Sequence, residues 1–122
     1  MKKYNKESLQ TIKEMSTEEN FYLPKPLFDR QNFGFVRLET KMAYVAILDT
    51  LLHKPNYNND GEAFLKIDNP EIMHTLETLT NKKIEKDKME RYYQELIIAE
   101  LISIDKKNVF LMDIGEYDNV NK

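Results

Sequence analysis

The chain of 122 residues has no cysteine. That excludes disulfides and thiolate zinc sites, and it leaves the redox state of its compartment open. Glycine is nearly as scarce, at three residues, and none of them stands in a phosphate-cradling loop. Long apolar runs are missing too. No stretch approaches the roughly 18 apolar residues of a membrane span, and "MKKYNKESLQTIKEM" opens basic without the apolar run of a signal peptide. A cytoplasmic protein without membrane contact is the expectation. An excess of positive charge is also absent: 18 Lys and Arg stand against 21 Asp and Glu, a net charge of −3 with a pI near 5.5. Such a chain does not coat nucleic acid over its whole surface, because phosphate binding needs concentrated cations. A small basic patch on an acidic body remains open.

Catalytic patterns are equally thin. His53 and His74 fall on different predicted helices with no carboxylate at a metal-ligand spacing such as HExxH. Ser8, Ser16 and Ser103 lack a nucleophile-elbow context. No enzyme, metal or cofactor is expected.

What is present is an ordinary globular composition, 41% hydrophobic and 32% charged. The length fits one domain that buries about two thirds of its unfolded surface. A polar segment at 5–19 carries Leu9, Ile12 and Met15 at helical spacing. "FYLPKPLF" follows, extended around its prolines, with Pro26 able to open a short helix. Met42, Val45, Ile47, Leu48, Leu51 and Leu52 form a broad apolar stripe that predicts a helix from about Thr40 to His53, ended by Pro55. "KPNYNNDGEA" reads as a loop with an Asp60-Gly61 turn, and "AFLKID" as a short strand. In "DNPE", Asp68 or Asn69 caps a helix that runs to about Leu79. "TNKK" is a turn, the stretch from Lys82 is the next helix, and "LISID" with "NVFLMDI" make a hairpin around Lys106 and Lys107.

Helix, strand, helix, short turn, helix and hairpin is the order of a winged helix-turn-helix. The fold class is therefore mainly α with a small β wing. An N-terminal polar helix or arm is expected over 1–20, the winged domain over 21–114 and a polar tail over 115–122. The helix after the turn has two unlike halves. Its apolar positions are Met89, Tyr92, Tyr93, Leu96, Ile97 and Leu101. Helical offsets put Met89, Tyr92, Tyr93 and Leu96 on one face, and Lys86, Lys88, Arg91, Gln94 and Glu95 on the remaining one. From Asn81 to Arg91 five cations face three carboxylates, Glu85, Asp87 and Glu90. A recognition helix has this layout, and so does a solvated amphipathic helix. Seven tyrosines add a further option. Tyr4, Tyr22, Tyr57 and Tyr117 fall outside the predicted helices, where they would suit stacking on single-stranded bases, packing or a subunit interface.

Several segments together resemble the RepA_N family, the N-terminal winged-helix domain of plasmid replication initiators from Gram-positive bacteria. "FYLPKPLF" at Phe21 to Phe28 is similar to the family's opening phrase. "LETKMAYVAILD" matches its next helix, with Ala43, Tyr44, Ile47 and Asp49 in step. "NNDGEAFLKID" stands where the family has an Asn-rich loop and strand, and "QELIIAELI" where it has a phrase like "KELEEAGLI". The resemblance covers about Phe21 to Met112. It departs in a short wing tip, "DKKN", and in Glu100 where the family has glycine, which implies some other backbone geometry there. Family members also continue into a C-terminal domain.

The resemblance implies a dimeric DNA-binding domain from a plasmid or related mobile element, one that binds double-stranded origin repeats. The helix from about Lys83 to Ala99 would enter the groove. Lys82, Lys83, Lys86, Lys88 and Arg91 are the candidate contacts there, and Lys106 and Lys107 those on the adjacent backbone. The alternative is an accessory subunit of a replication complex that binds a replication protein or single-stranded DNA.

Overall fold

The structure, a computed structural model, describes residues 1–16 and 18–115. Among these residues it is a mixed α+β fold of five helices and a small antiparallel sheet, with short two-residue strands at its margins.

In chain order the elements are β1 (Lys2–Lys3), α1 (Lys6–Met15), α2 (Arg30–Phe33), α3 (Leu38–His53), β2 (Asn56–Tyr57), β3 (Ala63–Lys66), α4 (Pro70–Thr80), α5 (Lys86–Ile98), β4 (Ile102–Asp105) and β5 (Asn108–Asp113). A 3-10 turn at Lys25–Phe28 precedes α2. Everything is built around α3, which starts two residues before the predicted Thr40. Without glycine or proline it runs for 16 residues. Its burial is nearly all-round, taking in Thr40, Ala43, Ala46 and Thr50 beside the larger apolar residues. A helix apolar on every side belongs in the middle of a core, and α1, α4, α5, β3 and β5 all pack on it. The buried Thr50 hydroxyl donates to the Ala46 carbonyl at 2.9 Å, so its polarity is satisfied within the helix.

Local signals set the ends of α1 and α4. Asn5 and Ser8 form a reciprocal capping box at α1 (2.8 and 2.9 Å), and Leu9 and Ile12 face inward. Asn69 accepts the Glu71 amide at 2.9 Å, and proline lies in the first turn of α4. The start of α5 departs from expectation. Lys82 and Lys83 lie in the turn, and the helix begins only at Lys86. Ile84 is the reason. It is buried, its amide donates to the Glu77 carboxylate at 2.9 Å, and it stands one residue before the extended N-cap Glu85. Ile84 and the buried Met89 occupy the positions of a hydrophobic staple, which fixes where the chain enters the helix.

The end of α5 is the second departure. Glu100 takes the left-handed conformation itself (φ 60), where its replacement of glycine had implied another geometry. The Glu100 amide donates to the Ile97 carbonyl and the Leu101 amide to the Leu96 carbonyl, both at 2.9 Å. That is a Schellman closure made without glycine, at a backbone cost of about 1–2 kcal/mol.

β5 is the hub of the sheet. β4 pairs along one edge, from Ile102↔Leu111 to Asp105↔Asn108. The other edge is shared by β3, at Leu65↔Val109, and β1, at Lys2↔Asp113 and Lys3↔Met112. β2 pairs β3 within the stretch read as a loop, closed by the Asn58 side chain on the Asp60 and Glu62 amides. β1 and β2 are elements the sequence reading does not contain.

The N-terminal strand also decides among the readings open for Tyr4, which is packed in the core at 1% exposure. Its amide donates to Leu111 and its carbonyl accepts the Ala63 amide. The Tyr44 hydroxyl lies within hydrogen-bond reach of both the Tyr4 hydroxyl (3.2 Å) and the Met112 carbonyl. A hydroxyl has one proton, so donation to the carbonyl leaves Tyr44 to accept from Tyr4. Burial drives both phenols well above their ordinary pKa. Tyr44→Phe is expected to cost about 1–3 kcal/mol, because a part-buried carbonyl and a buried hydroxyl lose their partner. Urea denaturation should show a lower midpoint at unchanged slope.

Elsewhere, Leu27 and both prolines of "FYLPKPLF" are buried, while Phe21, Leu23 and Phe28 are exposed. Tyr117 lies outside the described residues. Among those residues, no helix is long and apolar enough to cross a membrane.

Candidate functional site

The turn from Asn81 to Glu85 and the exposed side of α5 carry most of the candidate cations. Asn81 adopts the left-handed conformation (φ 53) that ends α4 and turns the chain. Lys86 and Lys88 follow in the first turn of α5 and Arg91 one turn later, all exposed. Lys106 and Lys107 form the tip of the β4–β5 hairpin. The two groups are joined through Ile67. Its amide donates to the Lys107 carbonyl at 2.8 Å, and its carbonyl accepts the Tyr93 hydroxyl of α5 at 3.4 Å. Ile67 therefore links the hairpin tip to the buried side of α5.

Lys82 stands apart from the others. Its ammonium is paired with Glu39 on the first turn of α3, so it already has a carboxylate partner. Lys83, Lys86, Lys88, Arg91, Lys106 and Lys107 form no ion pair among the described residues.

Around Lys82 the structure reveals a polar network that sequence reasoning missed. Glu39 accepts from Lys82 and from the Tyr92 hydroxyl of α5. One turn along α5, Glu95 accepts from the Thr40 hydroxyl and pairs with Arg37 at 2.9 Å. The network clamps the start of α3 to α5. Its residues come from widely separated parts of the chain, and the one hint in the sequence is a charge, Glu39, in the first turn of a largely buried helix. Hydrogen bonds from Lys82, then Tyr92, hold the Glu39 carboxyl at about 2, below its ordinary value of 4.5. The Tyr92 phenol is pushed up to about 12 by burial and by the carboxylate it serves. For Glu95 burial acts upward, but Thr40 and Arg37 outweigh it and the net shift is downward.

A carboxyl lowered on folding stabilises the fold above its unfolded pKa and loses that contribution as pH falls toward the folded one. Glu39 is half-exposed, so solvent screens the effect. Melting temperatures of the parent chain and Glu39→Gln should differ at pH 6 and converge as pH falls from about 4.5 to about 2. A gap that persists unchanged at the acid end would assign the difference to packing.

The outward face of α5 is less apolar-free than its pattern suggests. Asp87, Glu90, Arg91 and Gln94 are exposed, and the apolar Ile97 is exposed as well. Ile98 beside it is 76% exposed. Phe35 and Leu38, at 69% and 65%, precede and open α3 near the Arg37–Glu95 pair, and Ile98 is one turn on from Glu95. Exposed apolar side chains thus stand at the C-terminal end of α5 and around the start of α3, while the N-terminal half of α5 is charged. Of the tyrosines considered for base stacking, Tyr4 is buried, Tyr22 half-buried and Tyr57 exposed. Comparison with protein-family models, with curated proteins and with solved structures finds no match for the chain.

Proposed function

We propose that the chain is a winged helix-turn-helix domain that binds double-stranded DNA, of the kind the RepA_N resemblance implies for plasmid origin repeats. α4 and α5 would form the helix-turn-helix and β4–β5 the wing. The observation that carries the reading is the link through Ile67, which ties the hairpin tip to α5. In this arrangement Lys83, Lys86, Lys88 and Arg91 approach the major groove and its phosphates, and Lys106 and Lys107 reach the neighbouring backbone. Lys82 plays a different part, holding the turn onto α3 through Glu39.

With Lys82 paired, four cations from Lys83 to Arg91 stand against the carboxylates of Glu85, Asp87 and Glu90. Such a front attracts phosphate weakly and leaves discrimination to base contacts. Six available cations limit the salt dependence of binding to a log–log slope of about 5 per protomer, at about 0.9 per phosphate neutralised. The test is titration of labelled random duplex, candidate origin repeat and single strand at two salt concentrations. Repeat-selective duplex binding supports the reading. Absence of binding at low salt rejects it.

A second contact, with protein, is favoured by the exposed Phe35, Leu38 and Ile98. A second copy fits them. α5 has 13 residues, about 20 Å at 1.5 Å per residue. Two copies meeting at their C-terminal ends hold their first turns up to about 40 Å apart, enough to span half-sites about 34 Å apart. Sedimentation should show a dimer that Ile98→Asp dissociates. A monomeric parent chain would instead leave these side chains to a replication protein.

A further inference from the structure

Between the first turns of α4 and α5 lies an open pocket of about 500 Å³. Its floor is apolar, formed by Ile67, Ile72, Met73, Met89 and Tyr93. Small-ligand sites occupy about 300–1,000 Å³, and methionine side chains reshape readily around a guest. A peptide helix, by contrast, needs a groove with several successive anchor sites.

The rim supplies the sign. Asp68, Glu77 and Glu90 line it against the single ammonium of Lys86, with His74 beside them. Glu77 is engaged by the Ile84 amide at 2.9 Å. Asp68 and Glu90 have neither a hydrogen bond nor an ion pair among the described residues. An anion entering the pocket would meet two unengaged carboxylates for one ammonium. A cation meets the reverse, and Tyr93 in the floor adds an aromatic ring able to attract it.

We propose that this pocket binds a small organic cation with an apolar body, its positive group at the Asp68 and Glu90 rim and its body over Met73 and Met89. The floor residues do not face outward with Arg91, but the rim shares Lys86 with the proposed duplex contacts, so the pocket is probed without DNA. Octyltrimethylammonium is a suitable probe, with octanoate as the partner of opposite charge.

Binding is read by calorimetry and by the methionine methyl signals of the full chain, without DNA. The cation should shift the Met73 and Met89 methyls, leave Met15 unmoved and bind about tenfold more tightly than octanoate. Asp68→Asn with Glu90→Gln should abolish that preference. Met73→Lys, at a half-buried position, should block binding while the melting transition persists. Octanoate binding equal to or tighter than the cation would overturn the proposal. So would shifts centred on Met15 or Met112, or no saturation by about 10 mM. DNA titration of the same samples keeps this result separate from the fate of the duplex-binding reading.

Discussion

Leu48→Ala is expected to lower the free energy of unfolding by about 2–5 kcal/mol. Leu48 is fully buried near the middle of α3, the helix on which α1, α4, α5, β3 and β5 all pack. The cost of a large-to-small change depends on how far the surroundings collapse into the space left behind. Around α3 they have little freedom, because its neighbours on opposite sides are themselves tied together. α5 is clamped through Glu39 and Glu95, and β5 is bound to three other strands. The upper half of the range is therefore the expected outcome. Against a total stability of about 5–15 kcal/mol for a domain, such a loss leaves a marginal fold. Urea denaturation should show a large fall in midpoint at constant slope. A loss below about 1 kcal/mol would show that the centre of the core is elsewhere.

The second large effect concerns α5 and rests on the proposed duplex binding. Arg91→Ala should weaken binding to the cognate repeat by about 1–3 kcal/mol and leave random duplex nearly unchanged. Arg91 is exposed one turn into the helix, and its planar fork is suited to the two acceptors of guanine. Lys106→Ala with Lys107→Ala should behave differently, lowering affinity on every duplex and reducing the salt slope by about 2. Equal losses on cognate and random DNA for Arg91→Ala would make it another phosphate contact. The pair of experiments separates reading from holding.

Much of the fold was legible because its signals are local. Asn69 and Pro70 announce α4, the apolar run announces α3, and Lys106 and Lys107 sit at the hairpin tip as the spacing predicts. What was hidden depends on partners far away in the chain. Lys2 pairs with Asp113, so a polar two-residue strand has no pattern of its own to show. Tyr4 looked like a wet aromatic until Tyr44 and Leu111 enclosed it. Lys82 and Lys83 carry strong helical charge patterning, yet the burial of Ile84 keeps them out of α5. At the candidate site the sequence supplied the cations but not the carboxylate that pairs one of them, nor the pocket that α4 and α5 enclose.

The position of β5 has a consequence for how the protein is made. Translation delivers β1, β3 and β4 before the strand that pairs all three. Until Asn108 to Asp113 leave the ribosome, Tyr4 lacks its backbone acceptor at Leu111, and β3 and β4 keep open edges. Open strand edges invite pairing with other chains. A chain that stops before Asn108 would thus present unpaired strand edges, and completion of the sheet waits on one six-residue strand.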